Sequence, residues 1–224
     1  NPNDRKNLLY INNGNLSFTE SAAAYGVDDG GFSIQSTFFD FENDGDLDLF
    51  VANQPPDPRL LSRFGINPEE NKALWADKLY QNNGNGKFVD ISKKAKVDGY
   101  GYGLSVVAND LNGDNLTDLY VSNDYFEADF LYINNGDNTF TNTINESIKH
   151  ISNFAMGCDI NDFNNDGYPD IGVVDMAAPD HFRSKTNMGS MRPDFFWKLV
   201  NDGHHYQYMF NTLQLNNGNN TYSE

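Results

Sequence analysis

Asp162-Phe163-Asn164-Asn165-Asp166-Gly167-Tyr168-Pro169-Asp170 carries side-chain oxygens at its first, third, fifth and ninth positions and a glycine at its sixth. Oxygens at that spacing converge on one point when a chain wraps round a small hard cation. Calcium takes six to eight of them, at ~2.3–2.6 Å. Asp162, Asn164, Asp166 and Asp170 would supply side chains, and the backbone carbonyl of Tyr168 would be the donor at position seven. Gly167 permits the positive φ of a sharp turn without a Cβ clash.

The frame occurs twice more. Asp40, Glu42, Asp44 and Asp48 fill it around Gly45, with Asp46 at position seven. Asp110, Asn112, Asp114 and Asp118 fill it around Asn115, with Leu116 at position seven; Asn is the residue next most tolerant of left-handed backbone. No Lys or Arg lies in any of the three loops. Unit charges ~5 Å apart at an effective dielectric of ~20 repel by roughly 3 kcal/mol per pair. Carboxylates at this density therefore need a counter-charge, and about three Ca²⁺ sites are expected. A solvated acidic turn is the plainer alternative, because Asp, Asn and Gly are good turn formers; recurrence in one frame argues against it. An EF-hand needs a Glu at position twelve and a helix beyond. Val51, Val121 and Val173 stand there instead, in runs that read as strand.

These loops must be held by a repeating element. Leu8-Leu9-Tyr10-Ile11-Asn12-Asn13-Gly14 returns as Leu79 to Gly84, as Leu131 to Gly136, and as Leu213 to Gly218. Each Asn-Asn-Gly is followed four residues later by an aromatic: Phe18, Phe88, Phe140 and Tyr222. Strand, Asn-Gly turn and strand make a β-hairpin. A glycine-containing approach, a strand, the acidic loop and a further strand follow. One unit then holds four antiparallel strands. The 52-residue spacing from Asn82 to Asn134, repeated from Asp110 to Asp162, is close to a propeller blade. The expected fold is all-β: a β-propeller of four-stranded antiparallel blades, about three and a half of them. Units run over about 7–53, 78–123, 130–175 and 212–224, with insertions at about 54–77 and 176–211. Connections in an antiparallel blade alternate between its ends, so acidic loops and Asn-Gly turns should share one face. Insertions and glycine-rich approaches should share the other.

Composition agrees. The net charge of −17 is concentrated in the loops, whose ten ligand carboxylates would be offset in part by three Ca²⁺. Nucleic acid is a poor partner for such a chain, since binding it requires a basic face. No stretch approaches the ~20 apolar residues of a membrane span, and no signal peptide is evident. A start at Asn1 and a stop inside a repeat suit a mature product or a segment of something longer. Weak calcium sites suit an extracellular setting. The lone Cys158 excludes an internal disulfide and, beside Gly157 in an apolar run, reads as a buried thiol.

Taken together, the three loops, each followed by an apolar strand, resemble FG-GAP/VCBS-type repeats, the calcium-bearing blades of integrin-like propellers. Leu131 to Gly136, Asp162 to Asp170, and Tyr206-Gln207-Tyr208-Met209 before Asn211-Thr212-Leu213 are similar more closely to bacterial surface proteins of the VCBS plus ASPIC/UnbV, cartilage acidic protein-like type. The resemblance covers essentially the whole chain. It implies a ring of about seven blades, part of it outside this chain, and an exported, cell-surface setting. Glu42 departs from the usual Asp or Asn at position three. Its extra methylene would push it toward water-mediated or bidentate contact.

The second insertion is rich in aromatics. His181, Phe182, Phe195, Phe196, Trp197, Tyr206 and Tyr208 are candidates for binding a partner, either a protein or a glycan; packing of the insertion onto the rim is the competing reading. In the first insertion, Pro68 to Trp75 reads as a short helix with Trp75 tucked beneath it. No nucleophile with a base, phosphate loop or free carboxylate pair stands out. Asp175, near Asp180 and His181, aligns with Asn53 and Asn123, which favours a structural strand-end role. The sequence thus supports a non-catalytic, calcium-stabilised propeller segment. A carbohydrate-active lyase or hydrolase, and a structural subunit beside an outer-membrane transporter or in another surface assembly, stay open as alternatives.

Overall fold

Val, Ile, Leu, Phe and Tyr cluster on either side of each acidic loop, and these runs form the long strands. The computed structural model describes residues 5–55, 75–125, 127–178, 180, 182–183 and 193–224. β1 (Tyr10–Asn12) and β2 (Phe18–Glu20) form a hairpin, followed by the short helix α1 (Ala22–Tyr25). β3 (Ser33–Phe39), β4 (Asp48–Asn53), β5 (Lys78–Asn82) and β6 (Phe88–Asp90) make the first four-stranded antiparallel sheet. After α2 (Ser92–Ala95), β7 (Tyr102–Asn109), β8 (Asp118–Asp124), β9 (Phe130–Asn134) and β10 (Phe140–Asn142) make the second. α3 (Ile144–Ser147) and β11 (Ile151–Ser152) lead to β12 (Ala155–Asn161) and β13 (Asp170–Asp175). α4 (Pro193–Asn201) and β14 (Gln207–Tyr208) interrupt before β15 (Thr212–Asn216) and β16 (Tyr222–Ser223) close the third sheet.

The fold is mostly β, in four-stranded antiparallel sheets of propeller-blade type. One expectation needs correcting. A sheet does not begin at its hairpin, as the 7–53 unit implied. It begins at the strand before the acidic loop and ends with the next hairpin: Leu49 pairs with Tyr80, Leu119 with Tyr132, and Ile171 with Gln214. Residues 212–224 therefore complete the third sheet, and among the described residues β1–β2 is a two-stranded sheet. Hydrophobicity explains the choice. The strand after the first and second loops is buried throughout, and β13 at half its positions, with Phe50, Leu119 and Ile171 inaccessible; a strand buried in this way is paired on both edges.

Adjacent sheets pack face to face. Phe39, Phe41, Phe50 and Leu79 of the first meet Val106, Leu119, Val121 and Phe140 of the second. Leu111, Tyr120 and Leu131 meet Ile160, Ile171, Val173 and Tyr222 of the third. The helices α1 to α3 recur at the same point after each hairpin. An oxygen two residues upstream accepts the first helical N–H in each case: Glu20 for Ala22, Asp90 for Ser92 and Asn142 for Ile144. Each helix pushes small or apolar residues (Ala22, Ala95, Ile144) into the core.

Candidate functional site

Each acidic loop joins the first two strands of a sheet, and each Asn-Asn-Gly turn joins the last two. Both lie at the same end of the strands, as expected. Added at Gly84, a Cβ would come within 3.3 Å of Asp46 Oδ2, so turn and loop touch. Loops of neighbouring sheets touch as well, Asn43 Nδ2 donating to the Asn115 carbonyl at 3.0 Å.

Within a loop the backbone is folded by its own acids. Asp40 accepts the N–H groups of Asp44 (3.2 Å) and Gly45 (2.9 Å). Asp162 accepts those of Asp166 (3.0 Å) and Gly167 (2.9 Å). Asp110 accepts from Gly113, Asp114 and Asn115. At position five, Asp44, Asp114 and Asp166 accept the position-seven N–H of Asp46, Leu116 and Tyr168. At position three, Asn112 and Asn164 donate to Asp114 and Asp166 (2.9 Å each), and their own oxygens accept N–H groups. Positive φ falls at position six, in Gly45 (90°), Asn115 (65°) and Gly167 (92°). It also falls at position four, in Asn43, Gly113 and Asn165, which the sequence reading passed over.

The ninth-position acids behave differently. Asp48, Asp118 and Asp170 are buried at the start of β4, β8 and β13. One oxygen of each accepts the second-position N–H of its own loop: Phe41 (3.2 Å), Leu111 (2.9 Å) and Phe163 (3.0 Å). The other accepts, at 2.8 Å each, the N–H of Asn82, Asn134 or Asn216, the first residue of a turn triplet.

The donor chemistry fits a hard cation. It is all oxygen, and none of the ion pairs among the described residues uses a loop carboxylate. Glu42 Oε2 and Asp46 Oδ1 are buried with no hydrogen-bond partner, although Gln81 donates to the other Glu42 oxygen at 2.7 Å. Burial raises the Glu42 carboxyl above its usual range, and the charges of Asp44, Asp46 and Asp40 add to it. Burial pushes Asp48 up to about 6 and Asp118 to about 7. These are acids short of a counter-charge. Among the described residues, no three His, Cys, Asp or Glu side chains are gathered closely enough to enclose an ion as the loops stand. The acids fold backbone instead.

At the opposite end, Phe196 stacks on Tyr208 (5.4 Å between centroids) and Tyr208 on Phe210 (5.7 Å). Trp197 and Tyr206 flank Phe196, and His150 meets Tyr208 and Phe210. Structure thus joins Phe196, Trp197, Tyr206 and Tyr208 in one cluster. Trp197 is 55% exposed, Phe182 74%, and Phe195 and Tyr206 are also exposed. His181 and residues 68–74 of the expected Pro68–Trp75 helix lie outside the described residues, while Trp75 is buried. Gln207 anchors the segment by donating to the Glu127 carbonyl at 2.9 Å, and β14 pairs in parallel with β11. Asp175 is structural: its Oδ2 accepts from Ser152 Oγ and the N–H groups of Asn153 and Phe154.

Recurring four-stranded sheets, packed face to face and bearing an acidic loop at one end, define a propeller-type repeat protein. The chain belongs to the FG-GAP-like repeat family, whose model matches residues 2–51, 66–121 and 110–173. It is similar to Integrin alpha-PS3 of Drosophila melanogaster, 27% identical over 153 residues. That match takes in 64% of this chain and 12% of the relative, so the chain spans a small part of that protein's length. A solved structure on recognition of non-reducing terminal N-acetylglucosamine by an Agrocybe aegerita lectin is 14% identical, covers 96% of this chain and 59% of its own, and has a TM-score of 0.34. No helix among the described residues is long and apolar enough to cross a membrane.

Proposed function

We propose that this chain is a calcium-stabilised, non-catalytic portion of a larger β-propeller, exposed at a bacterial surface, which binds a protein or glycan through the end opposite its acidic loops. The observation that carries this reading is the division of labour between the two ends. All fifteen candidate metal positions lie at one end of the sheets. The exposed aromatics of the 176–211 insertion follow β13 at the other. The lone β1–β2 hairpin supports membership of a larger ring. The edge of β1 that corresponds to the paired edges of β5, β9 and β15 has no strand beside it among the described residues. Leu8 just before β1, Tyr10 on β1, Phe18 on β2, and Ile34 and Phe38 on β3 are exposed. Kinship with the VCBS and ASPIC/UnbV surface proteins is part of the same proposal. It brings a cell-surface setting and the prospect of an outer-membrane assembly as host.

The test is capture of surface proteins and glycans by the wild-type chain and by Phe182→Ser and Trp197→Ala, with melting measured in parallel. Removing 177–210 entirely would also strip the Gln207 anchor and β14, so point changes are the cleaner probe. Loss of a partner with unchanged melting supports the reading. Equal capture by wild type and both variants rejects this surface as the contact.

A further inference from the structure

The first asparagine of each turn triplet carries more than the turn. Asn134 Oδ1 accepts the Gly136 N–H at 3.0 Å, as its place before a tight turn requires. Its amide nitrogen reaches out of its own sheet and donates at 2.7 Å to the carbonyl of Phe41, the second residue of the neighbouring acidic loop. Asn216 repeats this, donating at 2.8 Å to the carbonyl of Leu111 in the loop next to it. Both asparagines are buried, and both also touch their own loop, through the Thr117 and Pro169 carbonyls at 3.3 and 3.2 Å.

These bonds join end to end. Asp48 holds the Phe41 N–H, and the Phe41 carbonyl holds the Asn134 amide. The Asn134 N–H holds Asp118, which holds the Leu111 N–H. The Leu111 carbonyl holds the Asn216 amide, and the Asn216 N–H holds Asp170, which holds the Phe163 N–H. One line of hydrogen bonds runs through the three ninth-position acids of three different sheets. Buried networks of this kind reinforce one another, and each group left unpaired in them is costly.

We propose that Asn134 and Asn216 are positioning residues that couple the acidic loops, so that ordering one loop around a divalent cation raises its neighbour's affinity. This rests on the calcium reading above. Fixing Asp118 fixes the Asn134 backbone, which aims its amide at Phe41. Phe41 in turn places Asp48 across its own loop. Conformational freedom lost at one loop then need not be lost again at the next. Asn82 provides the internal contrast. It holds its own loop through the Asp48 carboxylate and the Leu47 carbonyl, at 2.8 and 3.2 Å, and bridges to no other acidic loop among the described residues.

The experiment is a calcium titration of the whole chain labelled with ¹⁵N-glycine. Gly45, Gly113 and Gly167 sit in the first, second and third loops and report on each separately. Silencing the second loop with Asp110→Asn and Asp114→Asn should weaken calcium binding at Gly45 and Gly167 by about fivefold or more. In Asn134→Ala, the response at Gly45 should already be weak and should depend much less on the second loop, the Asn43–Asn115 contact being the remaining link, while the link from Gly113 to Gly167 persists. Asn216→Ala should do the reverse, and it serves if Asn134→Ala does not fold. Asn82→Ala should weaken the first loop without breaking its dependence on the second. Independent sites in the wild type, or equal weakening of all three loops by Asn134→Ala, would overturn the coupling while leaving calcium binding intact. No calcium response at any of the three glycines would remove the calcium reading itself, and the coupling with it.

Discussion

Asn211 Oδ1 accepts the backbone N–H of Asp175 at 2.8 Å, and in the other two sheets the same bond is made with acid and amide exchanged. There Asp77 accepts from the Asn53 N–H and Asp129 from the Asn123 N–H, again at 2.8 Å. The Asn53 and Asn123 side chains each donate back across the gap, to the Ala76 and Ala128 carbonyls. This clamp closes the end of each sheet opposite the acidic loops. In all three it pairs one Asp with one Asn.

The clamp gives the protein a pH dependence that one substitution should remove. Asp77 is fully buried with one oxygen unpartnered, and burial pushes its carboxyl up to about 8 against a single opposing N–H from Asn53. Unfolded, it would titrate near 4. Between those values the folded protein holds a proton that the unfolded chain releases. The stability contribution is therefore complete below about pH 4 and lost as pH rises through about 8. Asp77→Asn, which copies the residue standing at 211, should match wild type within about 1 kcal/mol at pH 5. It should melt higher than wild type at pH 9. Thermal melts of both proteins at fixed calcium decide it; parallel curves across that range would refute the burial argument.

Calcium should stabilise the fold, and more strongly the more loops are intact. Binding to the folded state alone contributes RT ln(1 + [L]/Kd), about 2.7 kcal/mol per site at a hundredfold excess over Kd. Melting temperature should rise in calcium and fall in excess chelator, with the shift reduced in Asp44→Asn. Protons should compete. Burial pushes Asp48 and Asp118 up to about 6 and 7, and burial together with neighbouring like charges raises Glu42 above its usual range. Affinity should fall as pH drops from 8 to 5. Titration calorimetry at the two ends of that range measures it, and a pH-independent affinity would contradict carboxylate ligation.

How much of this was written in the chain depends on range. The acidic loops and Asn-Gly hairpins were legible because their residues are neighbours in sequence, and spacing alone places them at one end. Grouping of strands into sheets was not. The Leu79–Phe88 hairpin could pair with strands before or after it, and only burial of β4 on both edges selects the former. Helices α1 to α3 are four residues each, too short to show a period. Their signal was an oxygen-bearing residue at one offset after each hairpin aromatic: Glu20, Asp90 and Asn142. The reach of Asn134 to Phe41 spans ninety-three residues and leaves no local trace. Its hint was an Asn at the first place of every triplet, where no positive φ demands one.

Cys158 should report unfolding rather than function. Burial pushes its thiol up to about 11, with a contact to Ser105 Oγ at 3.4 Å. The thiolate is the reactive form, so at pH 7.5 only about one thiol in several thousand is ionised in the fold. Alkylation by iodoacetamide should be slow in native protein and fast in denaturant. Cys158 is only half-buried, so rapid native alkylation would show that reagent reaches the thiol within the fold.

The glycine-rich approach to β7 should prove to be a close-packing device rather than a hinge. A Cβ on Gly99 would lie 2.3 Å from the Tyr132 hydroxyl and 2.5 Å from the Phe130 ring. One on Gly101 would lie 2.4 Å from Asn123 Oδ1, inside the clamp of the second sheet. Neither glycine is in left-handed backbone, so any cost comes from crowding and not from strain. Overpacking of this kind typically costs 1–3 kcal/mol. Gly157, on β12 of the third sheet, has only Val174 Cγ2 at 3.6 Å, ordinary contact distance. Gly99→Ala and Gly101→Ala should each lower stability by about 1–3 kcal/mol, while Gly157→Ala should stay within about 0.5 kcal/mol of wild type. Urea denaturation of the three variants distinguishes the cases. Equal loss at all three positions would rule out the rings and the clamp around β7 as its source, since the backbone-entropy effect of Gly→Ala is stabilising.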